Sequence, residues 1–156
     1  MKLTDIGTIK ELFEKHGFSF TKSLGQNFLI NPSVCPKIAE MGGAGKEVGA
    51  IEIGTGIGVL TRELAERCKK VVAVEIDTSL KPILEETLAD YNNVEVVFAD
   101  VLEIDLNTLI KEKFGDMEVI VCANLPYYIT SPVIMKLLEE KLPIKAVTVM
   151  VQLEAA

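Results

Sequence analysis

Histidine occurs once in this 156-residue chain, at His16, and arginine only twice, at Arg62 and Arg67. A single histidine excludes a histidine-built metal centre and a Ser-His-Asp triad. The three cysteines, Cys35, Cys68 and Cys122, are odd in number, far apart and without a Cys-x-x-Cys pair. They are expected to be buried thiols of a cytoplasmic protein, not disulfide partners or zinc ligands. The apolar runs are strand-sized, and Asp5 and Lys10 interrupt the N-terminus, so neither a membrane span nor a secretory signal is expected. Internal repeats and low-complexity tracts are absent as well. The shortage of arginine bears on partners. Sixteen basic residues face 23 acidic ones, a net charge of −7 with a pI near 4.8. A domain that grips nucleic acid by its phosphates usually carries a basic stripe containing arginine. No such stripe is present, so a nucleic-acid function would rest on a local site or on a part of the protein outside this sequence.

What is present is apolar patterning. With 49% apolar and 25% charged residues and a mean hydropathy of +0.31, the chain has the make-up of one globular domain with a real core. Val- and Ile-rich runs at Ala50–Gly54, Val71–Ile76, Val94–Ala99, Val119–Ala123 and Ala146–Val151 alternate with helical stretches. Nearly continuous apolar strands between helices predict an α/β fold with a doubly wound parallel sheet. The predicted helices are Thr8–Lys15, one from near Ser33 to Gly42-Gly43, Val59–Cys68, Ser79–Ala89, Leu106–Phe114 and Pro132–Glu140. The last has Ser131 as N-cap and proline at its first position.

Ile51-Glu52-Ile53-Gly54-Thr55-Gly56-Ile57-Gly58 reads as a strand, a glycine-rich turn and the start of a helix. Gly54 and Gly56 let the backbone turn sharply and let a ligand approach the main chain. A dinucleotide fingerprint would need glycine where Val59 stands, so the pattern is not that of NAD. It fits a nucleoside-type cofactor, or a turn that merely needs small residues. Glu75 follows Gly54 by the spacing at which an acid ending the second strand accepts hydrogen bonds from both ribose hydroxyls; otherwise it is a solvated strand-end acid. Asp100, ending the third strand, is placed to accept from an adenine amino group, with Ile76 and Val101 sandwiching the ring. Three such features at consecutive strand ends, with no pyrophosphate to cradle, point to S-adenosylmethionine.

The fourth strand runs into Asn124-Leu125-Pro126-Tyr127. The lone pair of an adenine amino group is delocalised into the ring, so its nitrogen is a poor nucleophile, and methylation develops positive charge on it. Acceptors aimed at both N–H bonds stabilise that charge. The Asn124 side-chain oxygen and a backbone carbonyl at Leu125 or Pro126 are the candidate acceptors, and Tyr127 offers a flat face for a base taken out of its stack. The bland alternative is a strand-to-loop turn with a buried tyrosine.

Ser23-Leu24-Gly25-Gln26-Asn27-Phe28-Leu29, the Gly54–Gly58 loop, Val74-Glu75-Ile76-Asp77 and Asn124-Leu125-Pro126-Tyr127, in that order, closely resemble the KsgA-type ribosomal RNA adenine dimethyltransferases. The resemblance runs from about Lys10 to Gln152. It implies a Rossmann-like class I methyltransferase domain with S-adenosylmethionine as cofactor and no metal. It implies Asn27 and Leu29 closing over the methionine and nucleoside end, with Gly54, Glu75, Asp100 and Asn124 as main contacts. The implied reaction is dimethylation of two adjacent adenosines in a hairpin near the 3′ end of small-subunit rRNA, within the 30S subunit. The sister large-subunit adenine methylases share this layout, but the Ser23–Leu29 segment and Leu125 look more like the small-subunit enzyme. Protein-glutamine and DNA amino methyltransferases use a similar turn, usually with proline where Leu125 stands.

Members of that family continue past this point with two more strands and a small helical domain. The expected organisation is therefore an arm with helices over 1–45, a methyltransferase domain over 46–152 that stops after its fifth strand, and an engineered junction over 153–156. Such a piece is expected to bind cofactor, to self-associate through its fifth strand and to methylate poorly; a non-catalytic cofactor-binding fragment is the competing reading.

Overall fold

The computed structural model describes residues 3, 5–17 and 34–152. The Ser23–Leu29 segment, with Asn27 and Leu29, and residues 153–156 lie outside the described residues. Five parallel strands, β1 (Val48–Ile53), β2 (Lys70–Glu75), β3 (Val94–Phe98), β4 (Glu118–Pro126) and β5 (Ala146–Gln152), form one sheet in the order β3-β2-β1-β4-β5. β1 is buried at every position and β2 at all but its first, as the unbroken apolar runs require.

Alternate residues feed different layers. Ile51, Ile53, Val72, Val74, Val121 and Leu125 face α5 (Leu106–Phe114) and α6 (Tyr127–Glu139). Val48, Ala50, Val71, Ile120 and Cys122 face α2 (Val34–Gly42) and α3 (Val59–Arg67). On that second side α1 (Ile6–Lys15) packs Ile9, Leu12 and Phe13 against Ile83, Leu84 and Leu88 around α4 (Lys81–Thr87). The sheet is doubly wound, and its order reverses between β1 and β4, the switch point at which open α/β sheets bind ligands. All three cysteines are free and buried.

Several boundaries move for physical reasons. α1 starts at Ile6, ahead of the expected Thr8, because Asp5 is the N-cap and accepts the Thr8 backbone N–H at 3.1 Å. The predicted Ser79–Ala89 helix splits. Asp77 caps a 3₁₀ turn, Thr78–Leu80, and α4 follows with Pro82 in its first turn, where no N–H is needed. The largest correction concerns α6. It starts at Tyr127, directly from β4, with Pro132 inside it, so Ser131 is not its N-cap and Pro132 is not its first residue. The strand-to-loop turn that was the bland alternative at Asn124–Tyr127 does not form. Asn124, Leu125 and Pro126 instead extend β4, in register with Met150, Val151 and Gln152 of β5.

Candidate active site

β1 ends at Ile53, opposite Ala123 of β4, so Asn124 is the first residue of β4 to pass the end of β1. Beyond it β4 pairs with β5, and among the described residues no strand lies on its β1 side. Leu125 is anchored in the α5–α6 layer and is only 2% exposed. Any part it takes in chemistry is through its main chain. Of Asn124, Pro126 and Tyr127 the backbone placement is what bears on function: together they set the switch-point end of β4 and the first turn of α6.

Across β1 lies the glycine loop. Gly54 and Gly56 have φ of 79° and 57°, in the left-handed region where a side chain is strained. The Gly54 N–H still donates to Val74 O at 3.0 Å, and the Gly58 N–H closes a turn onto Thr55 O at 3.0 Å. Glu75, ending β2, is buried, and its carboxylate spans the gap between loop and strand. Oε1 accepts the Gly56 N–H at 2.9 Å and Oε2 the Asp77 N–H at 3.0 Å. A carboxylate offers about four lone-pair positions, so acceptor capacity remains for a ligand's hydroxyls. Ile76, the next residue, is 62% exposed, unusual for isoleucine at a strand end and suited to a flat apolar ring. Val101 is 5% exposed and packs into the α5–α6 core, while the partly buried Asp100 turns its Oδ1 onto the Leu102 N–H at 2.9 Å. The structure thus gathers Gly54, Gly56, Glu75, Ile76 and Asp100 at one edge of the sheet, next to the end of β4.

Two further residues stand out that sequence reasoning did not single out. Thr55 is 4% exposed, and its hydroxyl is buried with no hydrogen-bond partner among the described residues. An orphaned hydroxyl costs about 1–3 kcal/mol unless a ligand satisfies it. Glu52, on β1 beneath the loop, is 1% exposed and accepts a hydrogen bond from the Thr61 hydroxyl of α3. Burial pushes its carboxyl up to about 8; the Thr61 hydrogen bond opposes this and the Glu75 charge adds to it. Burial, with the Glu52 charge, also pushes the Cys35 and Cys122 thiols up to about 12, leaving them inert. Thr55 sits between two glycines and Glu52 within an apolar run, so neither has a local signal that marks it out.

Glu75, Asp77 and Asp100 give this edge an acidic character, which suits a cationic ligand better than a polyphosphate. Among the described residues, no group of three or more His, Cys, Asp or Glu is placed to hold a metal, and no helix is long and apolar enough to cross a membrane.

Sheet order, switch point and glycine loop together define a Rossmann-like methyltransferase domain. The family described as ribosomal RNA adenine dimethylase matches residues 17–156. Ribosomal RNA small subunit methyltransferase A of Geobacillus sp. (strain WCH70) is 54% identical over 151 residues, covering 96% of this chain and 52% of the relative. The protein of that name from Bacillus licheniformis is 55% identical over 148 residues, covering 94% and 51%. Among solved structures, the 23S rRNA methyltransferase ErmE superposes with a TM-score of 0.69 at 34% identity, over 82% of this chain and 49% of its own. A dimethyladenosine transferase from Plasmodium falciparum gives 0.63 at 31%, over 78% and 42%. The chain belongs to the ribosomal RNA adenine dimethylase family. It spans about half the length of the curated relatives it matches.

Proposed function

We propose that this chain is the cofactor-binding and catalytic half of an enzyme that dimethylates two adjacent adenosines of small-subunit rRNA at their amino nitrogens, using S-adenosylmethionine. The observation that carries this reading is the pairing of a ribose-competent Glu75 at the end of β2 with Asn124 at the end of β4, on either side of the β1 glycine loop, in a chain 54–55% identical to small-subunit methyltransferases.

The residues present fit the cofactor: the left-handed glycines leave its approach open, the Thr55 hydroxyl lacks a partner among the described residues, and Ile76 is exposed beside Glu75. When bound, S-adenosylmethionine supplies a methyl group on a cationic sulfur. Glu75 holds the ribose hydroxyls with the lone pairs its two backbone bonds leave free. Gly54 and Gly56 permit close approach, and Asp100, with Ile76 and Val101 beside it, receives the adenine. Asn27 and Leu29 close over the methionine end. At β4, the Asn124 oxygen and a carbonyl of Leu125 or Pro126 accept the two N–H bonds of the target amine, favouring a pyramidal nitrogen as positive charge develops. Tyr127 stacks on the extruded base.

The substrate is rRNA in the 30S subunit, met in the cytoplasm where ribosomes assemble. With a net charge of −7, docking on phosphates belongs to the rest of a longer protein. Alone, the chain binds cofactor and tends to self-associate along β5. The test is methyl transfer from labelled cofactor to undermethylated small subunits, with large subunits, DNA and protein as parallel acceptors. Incorporation confined to small-subunit adenosines by a full-length protein carrying this domain is the expected result; transfer only to one of the other acceptors refutes it.

A further inference from the structure

Glu52 is a buried acid for which cofactor and base binding, as described above, leave no task. The sheet register assigns it a position. Glu52 pairs with Ala73 of β2 and Cys122 of β4, so it shares a face of the sheet with Glu75, two residues beyond Ala73, and with position 124, two beyond Cys122. β1 lies between β2 and β4, and Glu52 is its last residue of that parity before the glycine loop. A ligand whose ribose is held at β2 and whose methyl group is delivered at β4 carries its sulfur between them, over the end of β1. The carboxyl beneath that point is Glu52.

We propose that Glu52 is a positioning residue that distinguishes the cationic cofactor from its neutral thioether product: it releases its proton when the sulfonium binds over β1 and retains it when the thioether binds. This rests on the cofactor reading above. Among the described residues, the groups facing Glu52 are Glu75 from β2, Cys122 from β4, Cys35 from α2 and Thr61 from α3. Glu75 opposes a second negative charge there, the two thiols stay protonated, and the Thr61 hydroxyl donates a hydrogen bond that is ready to hold the carboxylate. With its carboxyl raised to about 8 by burial, Glu52 holds its proton at pH 7 before any ligand arrives. A cation nearby favours the ionised form, and the proton passes to the buffer. The Thr55 hydroxyl, in the loop that follows Glu52 on β1 and without a hydrogen-bond partner among the described residues, is a second sign that this end of β1 is completed by a ligand.

Calorimetric titration of this chain at pH 7 in two buffers of different ionisation enthalpy reads the proton directly. S-adenosylmethionine should release between about half a proton and one, a yield that declines towards pH 9 as Glu52 becomes ionised beforehand; S-adenosylhomocysteine should release far less. Both ligands carry an α-amino group that titrates on its own, and Glu52→Gln serves as the reference for it. That variant should lose the release and bind the sulfonium at least about fivefold more weakly, with the thioether within about twofold of wild type. The wild-type pH series stands even where Glu52→Gln does not fold. Sulfonium binding with identical heats in both buffers, or an undiminished release from Glu52→Gln, overturns the proposal alone. If neither ligand binds, the proposal falls together with the cofactor reading.

Discussion

Glu75 Oε1 accepts the Gly56 backbone N–H at 2.9 Å, joining the end of β2 to the glycine loop that follows β1. The carboxylate that would hold a ribose therefore also shapes the loop that admits the ligand. Hydrogen bonds to a charged group contribute about 1.5–3 kcal/mol each. Glu75→Ala should weaken S-adenosylmethionine binding by at least about tenfold and, because Gly56 and Asp77 lose their acceptor, should also lower the melting temperature. Glu75→Gln keeps one acceptor but sets an N–H₂ against one of the two backbone donors, and should fall between. Calorimetry and thermal unfolding on the three proteins check this; unchanged affinity in Glu75→Ala would place the ribose elsewhere.

Chemistry and binding should separate at β4. In a full-length protein carrying this domain, Asn124→Ala should reduce methyl transfer by about 10²–10³ while rRNA binding changes little, because its oxygen acts on charge that develops only in the transition state. Tyr127→Phe should be tolerated and Tyr127→Ala should not, since stacking needs the ring. Single-turnover transfer and filter binding measure the two effects. An inactive Phe variant would assign the phenol a hydrogen-bonding role.

The sheet was readable in the sequence because parallel strands buried on both faces cannot avoid continuous apolar runs, and all five strands were found. Helix ends were readable where one side chain decides them, as at Asp105, whose carboxylate accepts the Thr108 N–H at the start of α5. The start of α6 was not. Ser131-Pro132 is a sound local start signal, but the alignment of β4 with β5 carries the strand on to Pro126 and turns it straight into helix, a tertiary effect that overrides the local one. The place of Glu75 at the end of β2 is legible in the sequence, but its hold on the loop is not, since that depends on left-handed glycines bringing the Gly56 N–H within reach. Glu52, an acid inside an apolar run, has no local signature in the sequence; only the register shows what lies on either side of it.

One packing contact gives a direct test of the fold. A Cβ on Gly49 of β1 would overlap the Phe114 ring and lie 2.9 Å from Met117 Sδ. Phe114 is 4% exposed within the α5–α6 core and has little room to retreat. Gly49→Ala should therefore cost about 1–3 kcal/mol of stability despite the better strand propensity of alanine. Urea unfolding at constant m-value measures it, and a stability equal to wild type would mean that α5 does not sit over β1 as described.

Glu52 also makes stability depend on pH. Its carboxyl is raised from an ordinary 4.5 to about 8, so the folded state holds a proton that the unfolded chain gives up. The contribution is complete below about pH 4.5, declines as pH rises and is gone above about pH 8. Between pH 5.5 and 7.5 the wild type should lose more melting temperature than Glu52→Gln, whose side chain does not titrate. Parallel slopes for the two proteins would show that Glu52 is ionised in the folded state throughout.

β5 is flanked by β4 on one side and, among the described residues, by no strand on the other. Its sequence, Ala146–Gln152, contains neither lysine nor proline, and Val147 is 40% exposed beside that open edge. Unpaired backbone groups along an apolar edge strand template pairing with another chain. The chain should therefore self-associate with rising concentration, and Val147→Lys should shift it towards monomer without affecting cofactor binding, because Glu75 and the glycine loop lie on the other side of β4. The same chain should transfer methyl groups to small subunits poorly, since its net charge of −7 opposes approach to phosphates and none of its strands carries a basic stripe. Light scattering across a concentration series, and methyl incorporation beside a full-length relative, decide both points. A strictly monomeric 156-residue chain that dimethylates efficiently would refute them together.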